Sequence, residues 1–320
     1  MTFIFFGDGD WATNSLKRLL ADGHELLAIV LRQNPTTNTL QELGAEMGVE
    51  VRIPENVNAP ETVEWVRSLG PDLNISFSYD QILRREILGS ARLGFINCHA
   101  GMLPHYRGRN VLNWALINGE TEIGLTVHWV DEGIDTGDVI VQRPLSVEWT
   151  DTYADLLRKT EESFPDVLVE ALRVVSRGDA PARHQAGEVG TYFSRRRVGD
   201  ERIDWAAPSA DVYNLVRAIT RPGPGARTEL EGREVIVWRA RFDPSWPAYT
   251  ATPGEVVGVE PDGVRIKTGD STVVVQEVEI GGETADPARF RIGTRFGLDL
   301  YAEIRRLRAE LDELRASVPA

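Results

Sequence analysis

The sequence predicts an α/β fold: a doubly wound, mostly parallel sheet, then a small β-rich, barrel-like domain, then a terminal helix. Three observations predict it. Over residues 1–178, apolar runs of strand length alternate with amphipathic helical segments, as in βαβ units around a buried parallel sheet. From about residue 233 the chain changes to short alternating runs separated by Gly, Pro or Asp, which suits a small barrel or sandwich. Residues 298–318 place Tyr301, Ile304, Leu307, Leu311, Leu314 and Val318 at gaps of three and four, the seam of a coiled coil or of a docked helix. The expected division is a catalytic domain over 1–190, a small β-rich domain over 191–297 and a helix over 298–320 suited to pairing two subunits. A chain of 320 residues is long for a single core, which agrees with two domains.

In order, TFIFF (2–6) is a buried strand ended by Gly7-Asp8-Gly9-Asp10, and the next helix carries Trp11, Leu16, Leu19 and Leu20, with Thr13 or Asn14 as its cap. Strands are expected over 24–31, 51–54, 71–79 and 94–99, and helices over 40–49 and 59–70, the latter with Pro60 in its first turn and Gly70 past its end. The helical pattern of 152–178 is expected to start from a cap at Thr150 or Asp151 and to kink or break at Pro165. Residues 178–190 have a linker composition, which puts the domain junction between about 180 and 205. The helix over 209–220 is expected to bury Val212, Leu215, Val216 and Ile219.

Composition narrows function. The formal charge of −14 opposes non-specific nucleic-acid binding, which needs a basic surface to displace counterions. One cysteine, Cys98, excludes an internal disulfide framework and fits a reducing cytoplasm. No apolar stretch is long enough to span a bilayer as a helix, and the N-terminus lacks the basic leader of a signal peptide. The GDGD loop lacks the third glycine of a dinucleotide fingerprint, and its Asp8 and Asp10 would repel a pyrophosphate, so an NAD-type site is rejected.

The stretch most suited to chemistry runs from Phe95 to Gln142. Asn97 and His99 end an apolar strand, two residues apart and so on the same side of an extended chain. An amide beside an imidazole suits a reaction in which an oxyanion develops while the histidine handles a proton. Asp135, in a loop with Gly133 and Gly137, could orient the histidine. Cys98 should point the other way. With no nucleophile required, direct acyl transfer or hydrolysis is favoured over a covalent intermediate. Taken singly, His99 could be structural and Asp135 a turn residue. No metal is invoked.

Asn97-Cys98-His99, Leu103-Pro104, Tyr106-Arg107-Gly108 and Asp135 together resemble the signature of the folate-dependent formyltransferases. The resemblance covers most of the chain, since 200–297 is similar to the small C-terminal domain of these enzymes. It implies a Rossmann-like formyltransferase core with an OB-like second domain. Methionyl-tRNA formyltransferases usually carry a serine-leucine-leucine-proline string after the histidine, whereas this chain reads Ala100-Gly101-Met102-Leu103-Pro104. That form, with YRGRNVLNWALING and DEGIDTGD, looks closest to the nucleotide-sugar N-formyltransferases. The resemblance implies 10-formyltetrahydrofolate as formyl donor and a nucleotide-linked amino sugar, dTDP-linked by analogy, as acceptor. His99 would be the general base, Asn97 the oxyanion stabiliser and Asp135 the orienter of His99. It further implies folate contacts at Ser78, Tyr79, Asp80, Gln81, Ile82, Leu83 and Gly133. Acceptor contacts would come from Asp8, Asp10, Trp11, Arg107, Arg109, Tyr192, Phe193 and Arg195, a cytoplasmic homodimer being expected. Packing is the competing role for the two aromatics, and bracing of the loop for the two arginines at 107 and 109.

Three other readings compete. Methionyl-tRNA formylation needs a basic surface, which the charge opposes. A formyltetrahydrofolate hydrolase would consume donor without an amine. A non-catalytic scaffold assembled through 298–318 would leave the Asn97, His99 and Asp135 set unexplained.

Overall fold

The structure is a computed structural model that describes residues 1–178, 183–185, 189–298 and 300–317. The chain divides into two compact units, Met1–Arg196 and Arg197–Ala320, with Leu116–Gly119 counted in the second.

The first unit contains β1 (Thr2–Gly7), α1 (Asp10–Ala21), β2 (Glu25–Leu31), α2 (Thr39–Met47), β3 (Glu50–Arg52), α3 (Pro60–Leu69), β4 (Leu73–Phe77), α4 (Arg85–Leu88) and β5 (Phe95–His99). It continues through β6 (Arg107–Gly108), α5 (Val111–Ile117), β7 (Glu122–Trp129), β8 (Val139–Ser146), α6 (Tyr153–Ser176) and β9 (Tyr192–Phe193). One seven-stranded sheet has the order β3-β2-β1-β4-β5-β7-β8. Its first five strands are parallel, whereas β7 and β8 are antiparallel to their neighbours.

Both faces of this sheet are covered, as a parallel sheet requires. Alternation in β1 sends Ile4 and Phe6 to a cluster with Val63, Val66, Ile87 and Phe95. Phe3 and Phe5 are also fully buried, and Phe77 packs on Phe164 of α6 at 4.8 Å between ring centroids.

Three local expectations are corrected. The helix after β1 starts at Asp10 with Gly9 at its N-cap and no side-chain cap, so neither Thr13 nor Asn14 begins it. The long helix is capped by Thr152, whose hydroxyl accepts from Asp155 N while the Asp155 carboxylate accepts from Thr152 N. That reciprocal pair is a capping box, which neither Thr150 nor Asp151 forms. The helix also runs unbroken through Pro165. Proline there removes one backbone bond, a loss of about 3 kcal/mol in an isolated helix. The flanking Phe164, Val167 and Leu168 are all buried, so packing outweighs it. Gly70 does end α3 in the left-handed region, φ 61°.

The second unit contains α7 (Ser209–Ile219), β10 (Ala226–Leu230), β11 (Arg233–Arg241), β12 (Val256–Glu260), β13 (Gly263–Lys267), β14 (Thr272–Ile280), β15 (Glu283–Ala285) and α8 (Leu300–Ser317). Its antiparallel sheet has the order β10-β11-β14-β13-β12, with β15 on β14. Val235, Val237, Val264, Ile266 and Val273–Val275 form the core, and α7 adds Val212, Val216 and Ile219. Leu215 is only half-buried, whereas Tyr213 and Arg217 are buried.

The sheet topology and the β-rich second unit match the fold class read from the sequence. Among the described residues, no helix is long and apolar enough to cross a membrane.

Candidate active site

The site is built on two adjacent strands. β5 ends at His99, and its pleat puts Asn97 and His99 on one face and Cys98 on the other. Cys98 is buried, and burial pushes its thiol far above the usual range, so it is no nucleophile. On β7, Thr126 lies opposite His99 and His128 opposite Asn97. The polar pair on β5 is therefore matched by a polar pair on β7. Both Thr126 and His128 are buried.

Asp135 reaches the pair from the loop between β7 and β8. That loop is held by Asp131 Oδ1, which accepts from Gly133 N at 3.0 Å and from Thr136 Oγ1 at 2.6 Å. Asp135 itself is left-handed, φ 53°, a conformation aspartate tolerates better than most residues. Buried Gln185 braces the loop: its Nε2 donates to the carbonyls of Asp135 and Gly137 at 3.1 and 2.5 Å. The Gln185 Oε1 in turn accepts from Arg107 Nη2 at 2.8 Å.

The Asp135 carboxylate is the hub. Its Oδ2 accepts from Gly108 N at 2.8 Å and lies 3.7 Å from His99 Nδ1. Its Oδ1 lies 3.4 Å from both Asn97 Nδ2 and His128 Nε2. Burial alone would push this carboxyl up. Once His99 or His128 is protonated, its positive charge, a His128 N–H and the Gly108 N–H outweigh it and hold the group well below the usual carboxylate range.

The hydrogen bonds assign the histidine protons. His99 Nε2 is 2.6 Å from the Tyr106 carbonyl, and a carbonyl can only accept, so Nε2 carries the proton. The lone pair of the neutral ring is then on Nδ1, facing Asp135. Gly101 makes this orientation possible: a Cβ there would come within 2.5 Å of both His99 Nε2 and Tyr106 O. His128 Nδ1 donates to Trp129 O at 2.7 Å, which leaves Nε2 to accept from Asn97 Nδ2 at 3.2 Å. Both Asn97 amide hydrogens are thus engaged, and donation to a reacting oxygen requires one to be released. The segment between His99 and Tyr106 is pinned by Thr126 Oγ1, which donates to Gly101 O at 2.7 Å, and by Gln142 Nε2, which donates to Leu103 O at 3.0 Å.

Beside the start of the loop that carries Asp135, Arg85, Leu88, Asp131, Glu132 and Gly133 line an open groove of about 430 Å³. The segment 78–83 begins with Ser78 in the left-handed region, φ 62°. Gln81 ties it to the body by accepting from Val57 N and donating to Pro54 O. Leu83 is buried and Ile82 exposed, while the Tyr79 hydroxyl is buried without a hydrogen-bond partner among the described residues. Arg109 Nη2 donates to Asp80 O at 2.8 Å.

The residues expected to meet an acceptor are placed unequally. Asp8 is a correction: it is buried and committed to Arg32 at 2.6 Å and to the Thr36 N–H at 2.9 Å, so it ties down the loop after β2. Asp10 stays exposed, and the Trp11 ring packs on Phe77 at 5.1 Å. Arg107 and Arg109 brace loops through Gln185 and Asp80. Phe193 is stacked between Tyr106 and Trp114, at 5.0 and 5.4 Å. Tyr192 and Arg195 are exposed.

Sequence reasoning missed His128, Gly101, the Tyr106 carbonyl and Gln185. The first had a readable signal. In GLTVHWV, alternation puts Thr126 and His128 on one face of an otherwise apolar strand, an unusual polar pair for a buried position. The other three act through main-chain contacts or from far along the chain, and leave no such trace.

Imidazole, amide and carboxylate thus converge at the carboxyl end of β5 in a doubly wound sheet, an arrangement that suits an enzyme of acyl-group chemistry. Residues 1–172 match the formyl transferase family, and residues 197–294 match the formyl transferase C-terminal domain. The methionyl-tRNA formyltransferase of Symbiobacterium thermophilum is 33% identical over 312 residues, 92% of this chain and 95% of that protein. The chain belongs to the formyl transferase family and is a formyl-transferring enzyme.

Solved structures share the fold. An N-formyltransferase from Helicobacter canadensis, in complex with folinic acid and dTDP-3-aminofucose, superimposes with a TM-score of 0.70 at 20% identity over 86% of this chain and 98% of its own. HypX from Aquifex aeolicus, in complex with tetrahydrofolic acid, gives a TM-score of 0.61 at 23% identity over 89% of this chain, which spans 46% of HypX.

Proposed function

We propose that this chain transfers a formyl group from 10-formyltetrahydrofolate to the amine of a nucleotide-linked amino-deoxy sugar, dTDP-linked in the first instance, in the cytoplasm. The observation that carries formyl transfer is the Asn97, His99 and Asp135 hub, with its base nitrogen facing the carboxylate. The donor supplies a formyl carbon already activated for attack by an amine. His99 Nδ1 takes the proton that the attacking amine gives up, charged Asp135 stabilises the imidazolium that results, and the proton passes on to the donor nitrogen as its bond to the formyl carbon breaks and tetrahydrofolate leaves. Asn97, released from His128 or Asp135, donates an N–H to the oxygen on which charge develops.

The residues present fit a folate. The groove beside Gly133 is open and partly apolar through Leu88, and the buried Tyr79 hydroxyl in the segment 78–83 lacks a partner among the described residues. The segment 78–83 and the loop at 131–135 would hold it there through main-chain groups, with Arg109 keeping the first of them in place.

The choice of acceptor rests on charge. Residues 1–196 carry 18 Lys and Arg against 28 Asp and Glu, and residues 197–320 carry 17 against 21. Neither part is basic, as a surface gripping a phosphate backbone would be. The exposed Asp10 beside Trp11 suits a protonated amino sugar, and exposed Tyr192 and Arg195 suit a base and a diphosphate.

A second reading, methionyl-tRNA formylation, is favoured by the 33% identity to the Symbiobacterium thermophilum enzyme over nearly the whole chain. The two separate in one experiment. Purified protein with 10-formyltetrahydrofolate is offered dTDP-amino sugars and charged initiator tRNA in parallel, and formylated product is quantified by mass spectrometry. Formyl gain on the sugar alone supports the first reading; gain on the methionyl-tRNA alone overturns it.

A further inference from the structure

The terminal helix α8 keeps its apolar stripe in solvent. Ile304, Leu307, Leu311 and Leu314 are 45%, 50%, 46% and 64% exposed, far more than single apolar residues of a docked helix would be. Their gaps of three, four and three set a heptad register: Ile304 and Leu311 at a, Leu307 and Leu314 at d. The sequence puts Val318, outside the described residues, at the next a.

The flanking positions select the partner. In this register Glu303 and Glu310 fall at g, and Arg308 and Arg315 fall at e. In a parallel pair of identical helices, each g residue faces the e residue of the following heptad on the other strand. Glu303 then meets Arg308 of the second copy, and Glu310 meets Arg315, on both sides of the seam. In an antiparallel pair g faces g and e faces e, so the same residues would set Glu against Glu and Arg against Arg. Ile304 at the first a position with Leu at both d positions fits a two-stranded seam, while the second a is Leu311.

We propose that α8 pairs with α8 of a second copy of this chain as a parallel, two-stranded coiled coil. Within a single helix Arg306, at the outward c position, holds Glu303 at 2.9 Å and also bonds Glu310. These are exposed pairs of the kind that exchange readily for another partner. The described helix is 18 residues long, about 27 Å. A seam this short makes a dimer that depends on concentration. The pairing is independent of which acceptor the enzyme uses.

The test uses the full chain. Sedimentation equilibrium over a concentration series is expected to show mass rising from monomer to dimer. The exposed double change Leu307→Glu with Leu314→Glu is expected to leave a monomer throughout, with an unchanged melting temperature at low concentration. Mild oxidation of Ile304→Cys is expected to give a disulfide-linked dimer, because facing a positions in a parallel seam are equivalent residues; buried Cys98 keeps the unmodified chain as a blank. A wild-type chain that stays monomeric, or a dimer that survives Leu307→Glu with Leu314→Glu, overturns the proposal. So does a disulfide that forms only when Ile304→Cys is mixed with Leu314→Cys, since that marks an antiparallel seam.

Discussion

Asp8 and Asp135 look alike in sequence, each an aspartate in a Gly-rich loop after an apolar strand, yet the fold makes them different objects. Both carboxylates are largely buried, at 3% and 13% side-chain exposure. Asp8 faces a permanent cation, Arg32, together with Thr36. Asp135 faces two imidazoles, an amide and one main-chain N–H. A buried carboxylate whose cation never titrates can only hold structure. One whose partners gain and lose protons can take part in a reaction.

The contrast can be broken by substitution, beginning with the largest effect. His99→Ala removes the proposed base, and formyl transfer should fall by about 10²–10⁴-fold, toward the upper end, with the melting temperature little changed. A steady-state assay of formylated product checks this, and near-normal turnover would remove His99 from the chemistry. Asp135→Asn keeps the shape of the hub but not its charge, and a loss of about 10³-fold in kcat is expected.

The same variant tests the electrostatics. Asp135 is held low when folded, so its contribution to stability is fully present above the unfolded carboxylate value of about 4 and fades as pH falls through the folded value. Denaturant titrations of the Asp135→Asn protein should therefore lack part of the wild-type decline on the acid side. Because Asp135 stays charged through neutral pH, its own protonation should leave no step in the activity profile near pH 7.

Smaller effects should follow from Gly101→Ala, whose Cβ enters the space between His99 Nε2 and Tyr106 O. The His99 ring must turn, and a roughly 10–100-fold drop in kcat with little change in KM for either substrate is expected, in line with misplaced catalytic groups. Equal activity would show that the Tyr106 carbonyl does not position the base. Smallest in its effect on chemistry should be Asp8→Asn. It leaves Arg32 without its carboxylate and should cost about 3 kcal/mol of stability, read from urea unfolding, while activity per folded molecule persists. A selective loss of acceptor binding with stability intact would instead return Asp8 to the substrate side.

Most of the first unit was legible because burial on both faces of a parallel sheet leaves continuous apolar runs, as in TFIFF and HELLAIVL. Asn97 and His99 were legible for a related reason: a polar pair at the end of such a run has few structural explanations. The helix start at Asp10 and the unbroken course through Pro165 were not, since each depends on packing that local propensity does not encode. Gln185 was hidden because its partners, Asp135, Gly137 and Arg107, lie far away in the chain.

By itself, then, the sequence determined the order of elements, the change from parallel α/β to antiparallel β, the polar pair on β5 and the heptad register of α8. These all follow from periodicity, which is a property of neighbours along the chain. Tertiary structure alone decided that Asp8 is neutralised and Asp135 is not, that His128 joins the hub, and that the free nitrogen of His99 is Nδ1. Each depends on which donors and cations lie within a few ångströms of a buried group, and in a largely desolvated site those neighbours govern its charge and its proton.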